Sequence, residues 1–188
     1  MEAPRSPDRE RLILSNRSFA PEIVDELRSI HALKSGALAM FDPMLAAVAS
    51  QRDDQSTSAE VAELLGRMHS AFSNHRNQTA EHVRRLAARL IELESSPARG
   101  RVGAFSAGAR AWVRASGLRG QNHGANARNA FVFESLEVAS LNLLAQVADR
   151  SGDETTASLA RDCIAEDKEM AETINRNWTN VLTLKLAI

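Results

Sequence analysis

Residues 61–93, VAELLGRMHSAFSNHRNQTAEHVRRLAARLIEL, contain the most regular pattern in this chain of 188 residues. Apolar or weakly polar side chains recur there at alternating spacings of four and three residues, which places them on one face of an α-helix. The stripe consists of Val61, Leu65, Met68, Phe72, His75, Thr79, His82 and Leu86. Because Ser58 can cap the start and Pro97 ends the pattern, we predict one long helix over residues 58–95.

The same helical spacing recurs in three further segments of the chain. The predicted helices cover residues 21–50, 128–150 and 154–184. Short connections join the first helix to the second and the third to the fourth, which makes each pair an antiparallel hairpin. We expect one helical domain over residues 19–188 and a flexible N-terminal arm over residues 1–18, where no period is sustained.

Residues 95–128, between the two hairpins, have a composition of their own. They contain six of the nine glycines and six arginines, and no acidic residue occurs between Ser95 and Phe133. Two helical hairpins joined by one long crossover form the arrangement of ferritin-like bundles. The sequence therefore predicts an all-α fold, a ferritin-like four-helix bundle with a long Gly/Arg-rich crossover.

The crossover also supplies candidate anion-binding residues. Arg110, Arg114 and Arg119 create local positive charge, and arginine suits bidentate contact with phosphate. The alternative interpretation is that these arginines pair with acidic residues of neighbouring helices or only face solvent. Because the net charge of −1 lacks the basic excess of a dedicated nucleic-acid binder, nucleic-acid binding is kept only as an alternative function.

Composition excludes several classes of protein. Hydrophobic residues make up 44% and charged residues 25% of the chain, which is typical of globular proteins and excludes disorder of the whole chain. The single cysteine, Cys163, excludes a disulfide framework and a cysteine-rich metal cage, so we expect a cytoplasmic location. No stretch approaches the roughly 20 apolar residues of a membrane span, so no membrane association is expected.

Each predicted helix carries polar residues on its apolar stripe. These residues include Lys34, Gln78, His82, Glu134, Glu137 and Glu166. An isolated buried charge is costly, so such groups must be paired, hydrated or bound to metal, and stripes that face one interior bring them together. Glutamate and histidine hold the metals of bundle proteins. The candidate metal ligands are therefore His82, Glu134, Glu137 and Glu166.

Two residues depart from the pattern of a bundle di-iron site. Such a site takes one Glu from each of two helices and a Glu-x-x-His motif from each of the other two. Here Gln78 stands where the second helix should supply Glu, and Lys34 on the first helix would repel a cation. The competing interpretation is a hydrated ion-pair cluster, in which Lys34 pairs with Glu137 or Glu134 and Gln78 bridges them.

Four segments resemble the YciF-like branch of the bacterial ferritin-like superfamily, whose members are small stress-associated proteins. His75-Arg-Asn-Gln78-Thr79 is similar to the His-x-x-Glu-Thr of that family, and Glu134-Ser-Leu-Glu137-Val138-Ala139 to its Glu-His-Tyr-Glu-Ile-Ala. Ala165-Glu166-Asp167-Lys168 is similar to its Glu-Glu-Glu-Lys, and Asp42-Pro43-Met44-Leu45-Ala46 to its Leu-Pro-Lys-Leu-Ala. The resemblance spans residues 22–185 outside the central crossover.

The resemblance implies a metal site of which this chain keeps only a part. It places carboxylate ligands at Glu137 and Glu166, with Glu134 adjacent. The glutamates that the family has on its first two helices correspond to Lys34 and Gln78. The metal site that the resemblance implies is therefore degenerate.

These observations predict a non-catalytic, stress-associated ferritin-like protein with a degenerate core metal site and no bound cofactor. The alternative is a metal-binding oxidase or ferroxidase that holds iron or manganese, and the second alternative is anion or nucleic-acid binding through the crossover. The third predicted helix carries two apolar stripes and the last is apolar to its end, so we expect a homodimer.

Overall fold

The computed structural model describes residues 19–115 and 122–187, apart from the side chains of residues 113–115. Within these residues the chain forms six α-helices and no strand, which confirms the all-α prediction. The helices are α1 (Ala20–Arg52), α2 (Ala59–Glu92), α3 (Arg99–Ala115), α4 (His123–Ser151), α5 (Glu154–Arg176) and α6 (Trp178–Leu186). The expected N-terminal arm, residues 1–18, lies outside the described residues.

Side-chain caps define the start of three helices. Ser58 Oγ accepts a hydrogen bond from Val61 N at the start of α2. Asn122 Oδ1 accepts one from Ala125 N over 2.9 Å at the start of α4. Asp153 Oδ1 accepts one from Thr156 N over 3.0 Å at the start of α5. Each cap satisfies a backbone N–H that the helix itself leaves without a partner.

The structure corrects three predicted boundaries. Helix α4 begins at His123, whereas the sequence predicted a start near residue 128. The prediction missed the first turn because its Gly, Ala and Asn residues give no apolar period. The last predicted helix is two helices, α5 and α6, which meet at Asn177 without a proline or a glycine. The connection predicted over residues 95–128 ends at His123, and it contains α3, a helix of 17 residues.

The helices pack in two main pairs, and α3 lies along α1. Helix α1 packs along α2, α4 packs along α5, and α1 also contacts α4, so the two pairs form one core. Helix α6 contacts α4, α2 and α5 at one end. Gly36 lets α3 approach α1 closely, because a Cβ there would lie 3.2 Å from the carbonyl oxygen of Phe105.

The polar residues lie between two apolar clusters of the core. One cluster contains Leu27, Leu86 and Leu144, and the other contains Phe72 and Met170. On each of α1, α2, α4 and α5, the residues between the two clusters include buried polar or charged side chains. These are Lys34, His75, Thr79, His82, Glu134, Glu137 and Asp167. The fold therefore contains a polar layer, which we call the central polar layer, in the middle of its hydrophobic core.

Two helices are long and apolar enough, by length and composition alone, to cross a membrane. They are α1 and α4. Half of the most apolar window of α1 and one third of that of α4 are buried inside this fold. The same helices carry the buried charged residues Lys34, Glu134 and Glu137, which face the interior of the protein.

Candidate functional site

Lys34 is the central residue of the polar layer. Its side chain is fully buried, and its Nζ donates to Glu137 Oε2 over 2.8 Å and to both carboxylate oxygens of Asp167 over 2.6 Å. Both carboxylate side chains are fully buried as well. One ammonium group from α1 thus joins a carboxylate from α4 and a carboxylate from α5 through short, charge-assisted hydrogen bonds.

The electrostatics of this trio favour a charged lysine. Burial works to lower the pKa of Lys34, but the carboxylates of Glu137 and Asp167 outweigh it and raise that pKa above its ordinary value. Burial raises the pKa of Asp167 to about 6, against the opposing effect of Lys34. It also raises the pKa of Glu137, which Lys34 again opposes. The lysine therefore supplies the positive charge that opposes protonation of these two carboxyl groups.

His75 and Glu134 form a second contact beside the trio. Nε2 of His75 lies 2.8 Å from Glu134 Oε1, the distance of an ion pair, and both side chains are almost fully buried. Burial nevertheless lowers the pKa of His75 and raises the pKa of Glu134 well above its ordinary value. Because both shifts favour the uncharged forms at a site without solvent, we assign this contact to two neutral groups.

The contacts of His75 are consistent with that assignment. Its Nδ1 lies 3.3 Å from Gln78 Oε1, which can only accept, so we place the ring proton on Nδ1. Nε2 is then without a proton, and it lies 2.8 Å from Glu134 Oε1 and 3.4 Å from Thr79 Oγ1. Thr79 Oγ1 donates to the backbone carbonyl of His75 over 3.0 Å.

His82 lies at the edge of the central polar layer. Its Nε2 is 3.3 Å from Glu166 Oε2, and its Nδ1 is 3.7 Å from Asp167 Oδ1. Burial lowers the pKa of His82 to about 3, and the nearby Lys34 adds to this effect. The imidazole is therefore neutral at physiological pH, and the charged lysine disfavours a second positive charge beside it.

Four side chains of the central polar layer could together hold one metal ion. Ligand atoms of His75, Glu134, Glu137 and Asp167 all lie within 4.8 Å of one another. Imidazole and carboxylate donors suit iron and manganese. However, two of these four side chains, Glu137 and Asp167, already accept hydrogen bonds from the ammonium group of Lys34. The ammonium group of Lys34 therefore competes with a metal ion for Glu137 and Asp167, two of the four residues.

Of the six polar residues singled out in the sequence, the structure brings three together, Lys34, Glu134 and Glu137, whereas Gln78, His82 and Glu166 lie at the edge of this cluster. Glu134 and Glu137 belong to the four-residue group, and Lys34 pairs with Glu137. Glu166 does not belong to it, since its side chain is 35% exposed and contacts only the outer edge at His82. Gln78 is partly exposed and contacts His75 rather than Lys34.

Sequence reasoning missed Asp167 and gave His75 no ligand role. Asp167 is fully buried, whereas its neighbour Glu166 is not. A signal for Asp167 exists, because Ala160, Cys163, Asp167 and Met170 follow a spacing of three, four and three residues along α5. His75 lies on the stripe of α2 that the periodicity identified.

The arginines of the crossover are only partly described. Arg110 is exposed on α3, whereas the side chain of Arg114 and the whole of Arg119 lie outside the described residues. Arg101, in the same segment, pairs with Asp25 over 2.7 Å. Anion or nucleic-acid binding through Arg110, Arg114 and Arg119 therefore stays a prediction.

Comparison with known proteins identifies the family. A family model described as "Domain of unknown function (DUF892)" matches residues 22–187. No curated protein matches the chain. The matched range includes all the residues of the central polar layer. It also includes α1 from its third residue onward and the whole of the other five described helices. The chain therefore belongs to the DUF892 family, which is part of the ferritin-like superfamily.

Proposed function

We propose that the chain is a ferritin-like four-helix bundle built from α1, α2, α4 and α5, with α3 in the crossover and α6 continuing the fourth helix. Two observations support this proposal. The helices pack mainly as the pairs α1 with α2 and α4 with α5. Each of the four also contributes a side chain to the central polar layer, as the four helices of a bundle metal protein do.

We propose that the protein is non-catalytic and stress-associated, of the YciF-like branch, and that the ammonium of Lys34 takes the place of a metal ion. The observation that carries this proposal is the contact of Lys34 Nζ with Glu137 and Asp167 at 2.6–2.8 Å. Lysine is a permanent cation here, so the carboxylates have a partner without any cofactor. The role of the protein is then structural or depends on interaction with other molecules.

Burial of the site supports the absence of catalysis. Lys34, Glu134, Glu137 and Asp167 have no exposed surface. A catalytic group must reach its substrate within hydrogen-bonding distance or through one water molecule. The ammonium group of Lys34 pairs with both Glu137 and Asp167, and removing it would leave buried carboxylates without a cation.

Elemental analysis of protein purified without chelator tests the proposal. We expect little iron or manganese in the parent chain, because a metal would have to displace the ammonium group. The double variant Lys34→Glu, Gln78→Glu removes this cation and restores two carboxylates, so we expect it to gain metal. Lys168→Glu is the control for the lysine substitution, since it makes the same charge change as Lys34→Glu at an exposed position of α5.

The alternative function, a metal-binding oxidase or ferroxidase, has one specific observation in its favour. This is the convergence of four donor side chains, His75, Glu134, Glu137 and Asp167. Under this alternative the parent chain would contain stoichiometric iron or manganese. Metal in the parent and no further gain in the double variant would establish the alternative and end the proposal that lysine replaces the ion.

A further inference from the structure

The outer face of α4 carries no charged side chain over more than five turns. Between Arg128 and Asp149 the charged residues of α4 are Glu134 and Glu137, and both are fully buried on its opposite face. This stretch of about 20 residues is about 30 Å long. A helix face that remains in water normally carries charged residues, whereas the centre of a protein interface is depleted of them.

Large apolar side chains project from this uncharged face. Val132, Leu136 and Leu143 are 46%, 49% and 50% exposed. Their spacing of four and seven residues places them on one side of the helix. Contiguous apolar surface of this kind marks an interaction site in a folded protein.

Three polar residues of the same face donate to backbone carbonyls of α4 itself. Ser135 Oγ donates to the carbonyl of Phe131 over 2.8 Å, and Ser140 Oγ donates to that of Leu136 over 2.9 Å. Asn142 Nδ2 donates to the carbonyl of Val138 over 2.7 Å. These donors are satisfied within α4, so covering the face would not leave them without a hydrogen bond.

Helix α3 widens the apolar surface beside α4. Phe105 and Trp112 are about half exposed. They line an open groove of about 510 Å³ between the two helices, together with Val132, Phe133 and Leu136 of α4. None of the residues that line this groove is charged. The uncharged surface is therefore two helices wide beside residues 132–136 of α4.

We propose that a second copy of this chain covers this surface, with the two α4 helices antiparallel across a two-fold axis near Ala139 and Ser140. The order of the apolar residues along α4 supports this occupant. About a point midway between residues 139 and 140, Leu136 mirrors Leu143 and Val132 mirrors Val147. In an isologous contact residue i of one copy meets residue j of the other, and j meets i. The small residues at the midpoint allow the two helices to approach closely.

The available area is that of a weak dimer. A strip of α4 about 30 Å long and one helix, about 10 Å, wide covers about 300 Å², and the stretch of α3 that lines the groove adds about 12 Å of a second helix, about 120 Å². The total of about 840 Å² over the two copies is in the range of weak, transient interfaces. A lipid surface would require apolar exposure but no mirrored order of residues, so the second copy explains more of the sequence of α4.

Light scattering after size exclusion tests the proposal on the full chain. We expect the parent at micromolar concentration to have twice the mass of the 20.5 kDa monomer. Leu136→Glu with Leu143→Glu should raise the dimer Kd by roughly 100-fold or more, since each substitution acts twice across the axis. Both positions are half exposed in the single chain, so circular dichroism should show unchanged helix content. Ile91→Glu, at an exposed apolar position of α2, is the matched control and should leave the dimer intact.

Cysteine cross-linking tests the position of the axis. Ala139→Cys should form a disulfide-linked dimer under mild oxidation, because the axis brings the two copies of residue 139 together. Ser70→Cys, on the exposed side of α2, should not, and the native Cys163 is buried. A monomeric parent, a dimer that survives both glutamates, or a dimer in which the Ala139→Cys variant does not cross-link would overturn the proposal. A monomer that sediments with vesicles of phosphatidylcholine and phosphatidylglycerol would assign the face to lipid instead.

Discussion

Replacing Lys34 by methionine removes the positive charge of the central polar layer and nearly preserves its volume. The substitution leaves Glu137 and Asp167 fully buried without their cation. Breaking a buried ion pair by removing one partner costs about 3–5 kcal/mol, because the remaining charge has neither water nor a counter-ion. For a domain of this size, that cost corresponds to a fall in Tm of about 6–20 °C.

The cost should depend on pH in a defined direction. Burial raises the pKa of Asp167 from 3.8 in the unfolded chain to about 6 in the folded protein. The protonated carboxyl group therefore stabilises the folded state fully below pH 3.8, and this stabilisation is lost as the pH rises through 6. Without Lys34 this pKa is higher still, and the loss continues to higher pH. The difference in the free energy of unfolding between parent and variant should therefore be larger at pH 8 than at pH 5.5.

Urea unfolding of the parent and of Lys34→Met at these two pH values measures the effect. The triple variant Lys34→Met, Glu137→Gln, Asp167→Asn is the control, since it removes the stranded charges and should recover much of the lost stability at pH 8. The reasoning fails if Lys34→Met unfolds like the parent at pH 8. It fails equally if the destabilisation is the same at both pH values.

Three further predictions concern other parts of the fold. Because the pKa of His82 is lowered to about 3, the neutral imidazole stabilises the folded state fully above pH 6.5, and about 2 kcal/mol of the free energy of unfolding is lost by pH 5. His82→Gln should therefore flatten the fall in stability below pH 6.5. An unchanged pH slope of the stability measured by urea unfolding would contradict this. Gly36→Val should cost about 1–3 kcal/mol, since its Cβ meets the Phe105 carbonyl at 3.2 Å, and Gly36→Ala should cost less because alanine also favours helix; equal stability of the valine variant and the parent would exclude this close approach. Asp153→Ala should cost about 2 kcal/mol, because Asp153 caps α5 and accepts from Arg89 over 2.8 Å; an unchanged thermal midpoint would show that neither contact matters.

The helices could be predicted from the sequence wherever an apolar stripe is continuous. The predicted helix over residues 58–95 is α2, Ala59–Glu92, because its stripe runs without interruption and Ser58 caps it. The start of α4 and the break at Asn177 gave no comparable signal. Small and amide residues have no apolar period, and a break that lacks proline and glycine depends on packing between distant segments.

The site could be predicted only to the level of the helix face. Residues three and four positions after Cys163 lie on the same face of α5, so Glu166 and Asp167 were equivalent by spacing. Packing decides between them, and it buries Asp167 beside Lys34 while Glu166 remains partly exposed. The pairing of Lys34 with a carboxylate was among the expectations, since a buried lysine requires such a partner.

The charge state of Lys34 tests the central claim most directly. The chain has three lysines, so a sample labelled with ¹⁵N at lysine Nζ gives a spectrum in which Lys34→Met assigns the signal of Lys34. We predict that this signal keeps its ammonium shift at about pH 11.5, above the ordinary lysine pKa, because Glu137 and Asp167 raise the pKa of Lys34. We also predict that added Mn²⁺ does not broaden it, since the ammonium group holds the ligands. A neutral amine at or below about pH 10, or a signal lost when Mn²⁺ binds in the core, would contradict the claim that lysine replaces the metal.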